Sequence, residues 1–418
     1  MRNLINKKLG LFIVLIFGIA VQSGSIIADE SKTTLKVSML IFSVEQRNVF
    51  EEIAIAFNKR YPNVDIQYIS HTDANYKKNS ALWLENPEGI DVINWLWSRR
   101  IGEYVDVGWI EPISDLWSSA YMESNYSQEM KQLVTFSGEQ YAMPYSVGVW
   151  GFYYRESLFE HLKLEVPSDW QQLLEVCETL KEKQVTPIII GAEQPWPTAA
   201  WFDLLNLRIN GLGFHRQVVS GSVPFTSPKI RNVFSHWKAL MTQGCFNRHA
   251  TKVGFKEVTP LIFRNNAGMI LAGSFLVTQV PTQIRDDFKF FSFPVINTSV
   301  EISEEAPIDM FLIPQSSKNK VIAKQFIKFI SEAESQALIN NTIHFMPANS
   351  SSLIGESYFS QVGKEALEAA KGRSQYLDRD APFDFAKKSL RVFARFLEDG
   401  DIERAQSELE SLRLIHFK

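Results

Sequence analysis

Between Thr34 and Asn94 the chain passes twice from a strand pattern to a helix pattern, and this alternation constrains the fold more than any other feature. Leu35, Val37, Met39 and Ile41 recur at every second position, the period of a strand. Phe50, Ile53, Ala54 and Phe57 then recur at helical spacing until Pro62 stops the run. Val64 to Ser70 reads as a second strand, Ala74 to Leu84 as a second helix, and Asp91 to Asn94 opens a third strand. Such a succession implies a mostly parallel sheet with helices on both faces, an α/β architecture. Further along, Pro167-Ser168-Asp169-Trp170 predicts a helix start with a Ser cap. Pro187 to Gly191, Ala267 to Ala272, Phe288 to Pro294 and Asp309 to Pro314 read as strands. Pro228 to Met241 and Val321 to Glu332 read as helices, as does everything after Lys364.

The first residues point to export. Arg2, Lys7 and Lys8 precede an apolar run from Leu9 to Val21, and small residues follow up to Ala28, before Asp29-Glu30-Ser31-Lys32. That is the layout of a secretory signal peptide, expected over residues 1–28, and its run is shorter than the ~20 residues of a spanning helix. The expected compartment is therefore the periplasm. The remainder of the 418 residues is more than one core accommodates, which suggests two lobes. Without the leader, 40 basic side chains face 47 acidic ones. A mildly acidic chain with no basic stripe is a poor match to nucleic acid or to an anionic membrane surface. Two cysteines are too few for a disulfide scaffold. Cys177 shares an apolar helical face with Trp170, Leu173, Leu174 and Leu180 and reads as a buried thiol, although export permits a bridge to Cys245.

Aromatic residues are in excess, with 10 Trp and 30 Phe. Three segments concentrate them: Trp95-Leu96-Trp97, Trp150-Gly151-Phe152-Tyr153-Tyr154, and Trp196 to Trp201. In open parallel sheets ligands bind outside the carboxyl ends of strands. Trp95 and Trp97 follow the third strand, Trp196 follows Ile188-Ile189-Ile190, and Phe275 follows Met269-Ile270-Leu271. This placement predicts a binding cleft.

Six motifs, in order, resemble the extracellular solute-binding proteins of ABC-type sugar importers, the family of maltose-binding protein. They are Phe57-Asn58-Lys59-Arg60-Tyr61-Pro62, Asp91-Val92-Ile93-Asn94-Trp95, Tyr141-Ala142-Met143-Pro144-Tyr145, Phe152-Tyr153-Tyr154-Arg155, Pro167-Ser168-Asp169-Trp170, and Ala267-Gly268-Met269 with Gly273-Ser274-Phe275. The resemblance implies a type II periplasmic binding protein fold: two α/β lobes, a hinge and an interlobe ligand cleft that closes on a carbohydrate. Residues 31–143 plus 298–335 would form the first lobe, and 144–297 plus 336–418 the second. By the same match, Glu45, Trp95, Trp97, Arg99, Arg100, Trp150, Trp196 and Phe275 would contact the sugar, with Asp378 and Arg379 reaching the cleft from the C-terminal lobe. Flat rings suit the C–H face of a pyranose, and charged groups suit its hydroxyl rim. Trp109, Trp117, Trp170 and Trp201 read as packing residues. Ser98 and Gly148 stand where some relatives carry acidic sugar ligands, a departure from maltose specificity. The implied partners are the carbohydrate and the permease subunits of a transporter, or a membrane sensor in their place, with the protein itself a monomer.

Other chemistries find little support. Gly273-Ser274-Phe275 lacks the flanks of a nucleophile elbow, and Gly211-Leu212-Gly213-Phe214-His215-Arg216 lacks the third Gly of a dinucleotide loop and reads as a loop. The 7 His show no metal-binding spacing, so neither metal nor cofactor is expected. A glycosidase is the main rival, because its paired carboxylates need no local spacing.

Overall fold

A computed structural model describes residues 32–71, 73–85, 89–96 and 98–417. The leader expected over residues 1–28, and Trp97, lie outside the described residues. The first lobe is built on a six-stranded sheet. Its order is Met346–Pro347, Met143–Val147, Ile308–Leu312, Val92–Leu96, Thr33–Leu40, Val64–His71. Thr33–Leu40 lies between two parallel neighbours, while Ile308–Leu312 runs antiparallel to both of its own. The period-two pattern works as expected: Leu35, Val37 and Met39 are fully buried. They pack with Val49, Phe50, Ile53 and Phe57 of the helix Val44–Arg60, in the core of this lobe. Burying a Phe or Leu fully is worth about 1.5–3 kcal/mol, so this face dominates the energetics of the lobe. The helix begins at Ser43, whose hydroxyl accepts from the Gln46 N–H at 3.0 Å.

The second lobe is built on a four-stranded sheet in the order Phe288–Phe291, Trp150–Arg155, Ala267–Gly273, Thr186–Ile189. Helices Trp170–Glu182, Trp196–Val219, Pro228–Thr242 and Phe383–Asp399 pack around it. The cap of Trp170–Glu182 is Asp169, which accepts from the Gln172 N–H at 2.9 Å, while Ser168 bonds the Gln172 side chain. Leu212 to Arg216 are not a loop but helical, part of a second helical segment that follows Gly211 and ends at Val219. Gly211 breaks the span Trp196–Val219 with a non-helical φ of 80°, a backbone angle that glycine adopts at little cost. Cys177 and Cys245 are buried free thiols, and the neighbouring Cys245 and burial together push the Cys177 thiol up.

The chain passes between the lobes three times. Met143–Val147 in one sheet leads through Gly148 and Val149 into Trp150–Arg155 in the other. Ser303–Glu305 leads through Ala306 and Pro307 into Ile308–Leu312. After Met346–Pro347 and the helix Tyr358–Ala369, Gly372–Ser374 returns beside Ser303–Glu305 in parallel register. Ser303–Glu305 lies on the helix Trp196–Val219, and Met346–Pro347 extends the first sheet. Strand pairing, which local pattern does not reveal, thus places Ile308–Leu312 and Met346–Pro347 in the first sheet. Arg208 braces this passage: it ion-pairs with Glu304 at 2.6 Å and donates to the carbonyls of Phe293 and Ser303.

Candidate functional site

The aromatic wall grows from the crossing strand. Trp150 opens Trp150–Arg155 opposite Gly273, and a Cβ on Gly273 would stand 2.5 Å from the Trp150 Nε1. The bare glycine is what lets the indole lie across this strand end. The Ser274 hydroxyl accepts from the Val149 N–H at 3.0 Å and holds the turn that carries Phe275. Trp196 starts its helix just after the strand Thr186–Ile189. Trp150 meets its neighbours edge to face, 5.0 Å from Tyr376, 5.8 Å from Phe275 and 6.0 Å from Trp196, and Trp196 lies tilted 5.1 Å from Phe255. Trp150, Trp196 and Phe275 are therefore brought together as one apolar surface.

Polar groups without partners surround Tyr376. Among the described residues the Tyr376 hydroxyl, both Glu305 carboxylate oxygens, Asp203 Oδ1 and Arg379 Nη1 are buried and make no hydrogen bond. Leaving a buried polar atom unmade costs about 1–3 kcal/mol, so a concentration of them marks a place built to meet polar groups. The other Asp203 oxygen accepts from the Leu377 N–H at 2.9 Å. The Arg379 guanidinium sits 5.8 Å from the Tyr376 ring. His215 approaches Glu305 at 3.6 Å, but burial pushes the imidazole down to about 4, so the contact joins a neutral ring.

Asp309 adds a carboxylate from the first lobe. It pairs with Leu96, the last residue of its strand, and with Ser146, so it stands at the carboxyl end of the third strand. It is 9% exposed. Burial pushes it up to about 6, with Arg379 acting in the opposite direction. Asp380 is likewise pushed up to about 6 by burial, offset by the Arg99 N–H and by Arg99, Arg100 and Arg379. Burial also raises Asp203 and Glu305 well above the usual carboxylate range.

The remaining expected residues fall at the edges. Glu45 ion-pairs at 2.9 Å with Arg285 of the opposite lobe. Arg99 is exposed, and its N–H donates to Asp380 at 3.3 Å. Arg100 donates to the carbonyls of Asp378 at 2.8 Å and Arg379 at 3.1 Å, so Asp378 takes part through its backbone. Trp95 is 6% exposed and edge-on to Tyr104 at 5.6 Å, packed within the first lobe with only its Nε1 unpartnered. Residue-type reasoning missed Asp203, Glu305, Asp309 and Tyr376. One signal was present: Asp309 is a single carboxylate inside Ile308-Asp309-Met310-Phe311-Leu312, a strand that is otherwise apolar.

Two α/β lobes with three chain passages between them define a type II periplasmic binding fold. The chain belongs to the bacterial extracellular solute-binding protein family, whose model matches residues 43–337. It is similar to the multiple sugar-binding protein of Streptococcus mutans, 21% identical over 318 residues and 73% of each chain. It is also similar to an ABC transporter extracellular-binding protein of Pyrococcus horikoshii, 22% identical over 71% of this chain and 67% of that one. Among solved structures it resembles the bacterial solute receptor AcbH, described as having an exclusive preference for β-D-galactopyranose. The TM-score is 0.87 at 22% identity, over 93% of this chain and 100% of that one. A chitin oligosaccharide binding protein superposes with TM-score 0.81 at 17% identity, over 93% and 99%.

Proposed function

We propose that this protein captures a carbohydrate between its lobes and delivers it to the permease of an ABC-type importer, without transforming it. The observation that carries the reading is the combination around Tyr376: a joined aromatic surface beside unpartnered buried carboxylates and a guanidinium. An apolar surface matches the C–H face of a pyranose, while Glu305, Asp203, Asp309 and Arg379 match its hydroxyls as acceptors and donor. Trp95 joins this set through its indole N–H, and Glu45, Arg99 and Arg100 act by holding the lobes together. In this reading the protein is exported, is cleaved near Ala28 and works as a monomer. The test is melting temperature and Trp emission across a panel of mono- and oligosaccharides. A ligand at a hundredfold excess over Kd stabilises by about 2.7 kcal/mol. Silence from every sugar, or product formed from a bound one, would overturn the proposal.

A further inference from the structure

One aromatic side chain stands outside the wall described above and crosses to it. Phe42, in the loop just past the first strand, meets Phe275 of the opposite lobe edge-on at 6.2 Å, and Phe345 stacks behind it at 6.0 Å. Because Phe275 also touches Trp150, Trp196 and Phe255, aromatic rings run unbroken from one lobe to the other at this edge. Beside them the Glu45–Arg285 ion pair spans the same two lobes.

Phe42 is held in this position. Its N–H donates to the Gln46 side-chain oxygen at 2.8 Å, and the Gln46 amide donates to the Leu40 carbonyl at 3.3 Å. Gln46 is 1% exposed, so the loop between strand and helix is pinned from within the core. Behind Phe345 there is no slack either: a Cβ on Gly148 would lie 3.3 Å from its ring and 3.1 Å from Pro307. At the other edge of the cleft, Arg100 and Arg99 tie the first lobe to Asp378, Arg379 and Asp380. Tyr376 and Arg379, which carry unpartnered polar atoms, belong to the segment held by this second tie.

We propose that Phe42 is an end wall that limits the ligand to a single sugar ring. This rests on the carbohydrate reading above and narrows it. A glycosidic chain longer than one unit must leave the cleft through one of its two edges. One edge is closed by Phe42 against Phe275 and the other by the Arg99 and Arg100 contacts. The aromatic surface agrees with this limit, because its rings abut one another, edge to face or tilted, instead of forming a row of separate platforms on which successive sugars could stack.

The experiment is isothermal titration of the wild-type protein with galactose, glucose and xylose and with raffinose, xylotriose and chitotriose, repeated with Phe42→Ala and Phe42→Leu. The expected result is saturable binding of at least one monosaccharide by the wild type, with every trisaccharide at least tenfold weaker. Removing the ring should raise the ratio of trisaccharide to monosaccharide affinity at least tenfold. The leucine variant keeps an apolar side chain against Phe345 should the alanine variant not fold. A wild-type protein that binds a trisaccharide as tightly as its best monosaccharide overturns the end wall and leaves the carbohydrate reading standing. An unchanged ratio in a folded variant also removes Phe42 from the role. No saturable response to any sugar of either length sinks the carbohydrate reading and the end wall with it.

Discussion

Replacing Asp309 with Asn separates what the cleft does for a ligand from what it does to the fold. Burial pushes this carboxyl from 3.8 to about 6. At about 1.4 kcal/mol per unit, the ionised group destabilises the unliganded fold by roughly 3 kcal/mol at neutral pH. The sign follows from proton uptake. Between about pH 4 and pH 6 the folded state binds more protons than the unfolded one, so stability falls as pH rises through that window. Above pH 6 the whole penalty is present, and below about pH 4 it has gone. Asp309→Asn should therefore stabilise the unliganded protein at pH 7.5 and have little effect at pH 4. With an unfolding entropy of about 2.1 cal/mol/K per residue, roughly 3 kcal/mol raises Tm by about 3–4 °C in a chain of this length. The same substitution should weaken sugar binding by about 1–2 kcal/mol, or roughly 5–30-fold, because a charged acceptor is replaced by a neutral one. Wild-type affinity should fall as pH drops through 6, and the variant should show a flatter profile. Calorimetric melting at pH 7.5 and pH 4, with titrations at pH 7.5 and pH 5, measures all of this. A variant that melts at the wild-type temperature at pH 7.5 and binds sugar with unchanged affinity would refute both the buried-carboxylate argument and its place in the cleft.

Further outcomes follow from the same geometry. Trp196→Ala should weaken sugar binding by about 1–3 kcal/mol with a small change in Tm, whereas Trp201→Ala, at a residue 1% exposed among Phe152, Phe246 and Phe293, should cost about 3–5 kcal/mol of folding stability. Titration and melting on both variants decide the assignment, and the reverse pattern would exchange their roles. Gly273→Ala should displace the Trp150 indole, since the added Cβ falls 2.5 Å from its Nε1; a titration showing undiminished affinity would contradict this. Cys177 and Cys245 should resist alkylation in the native protein and react fully on unfolding, and intact mass spectrometry that showed a bond between them would contradict the free thiols.

Much of the fold was legible because it is written in short-range pattern. Leu35, Val37 and Met39 announce a strand by alternation, and Phe50, Ile53 and Phe57 a helix by spacing, without reference to distant residues. The aromatic half of the cleft was legible for a related reason: Trp150, Trp196 and Phe275 each follow or open a strand, and strand ends converge in α/β lobes. The polar half was not. Asp203 lies in mid-helix, Glu305 at the end of a three-residue strand and Tyr376 before a short turn of helix, and only the tertiary fold joins them. Glu45 pairs with Arg285 of the other lobe, a partner that nothing local in the sequence reveals.

The edge strand Met346–Pro347 has a kinetic consequence. Its partner is Val147–Ser146, so the first sheet is completed only when the chain returns from a long excursion through the second lobe. Ile308–Leu312, in the middle of that sheet, arrives almost as late. Closing loops of such length precedes any gain from the contacts they allow, which makes the assembly slow relative to a chain rich in local contacts. Neither lobe can be isolated by cutting the chain at a single point.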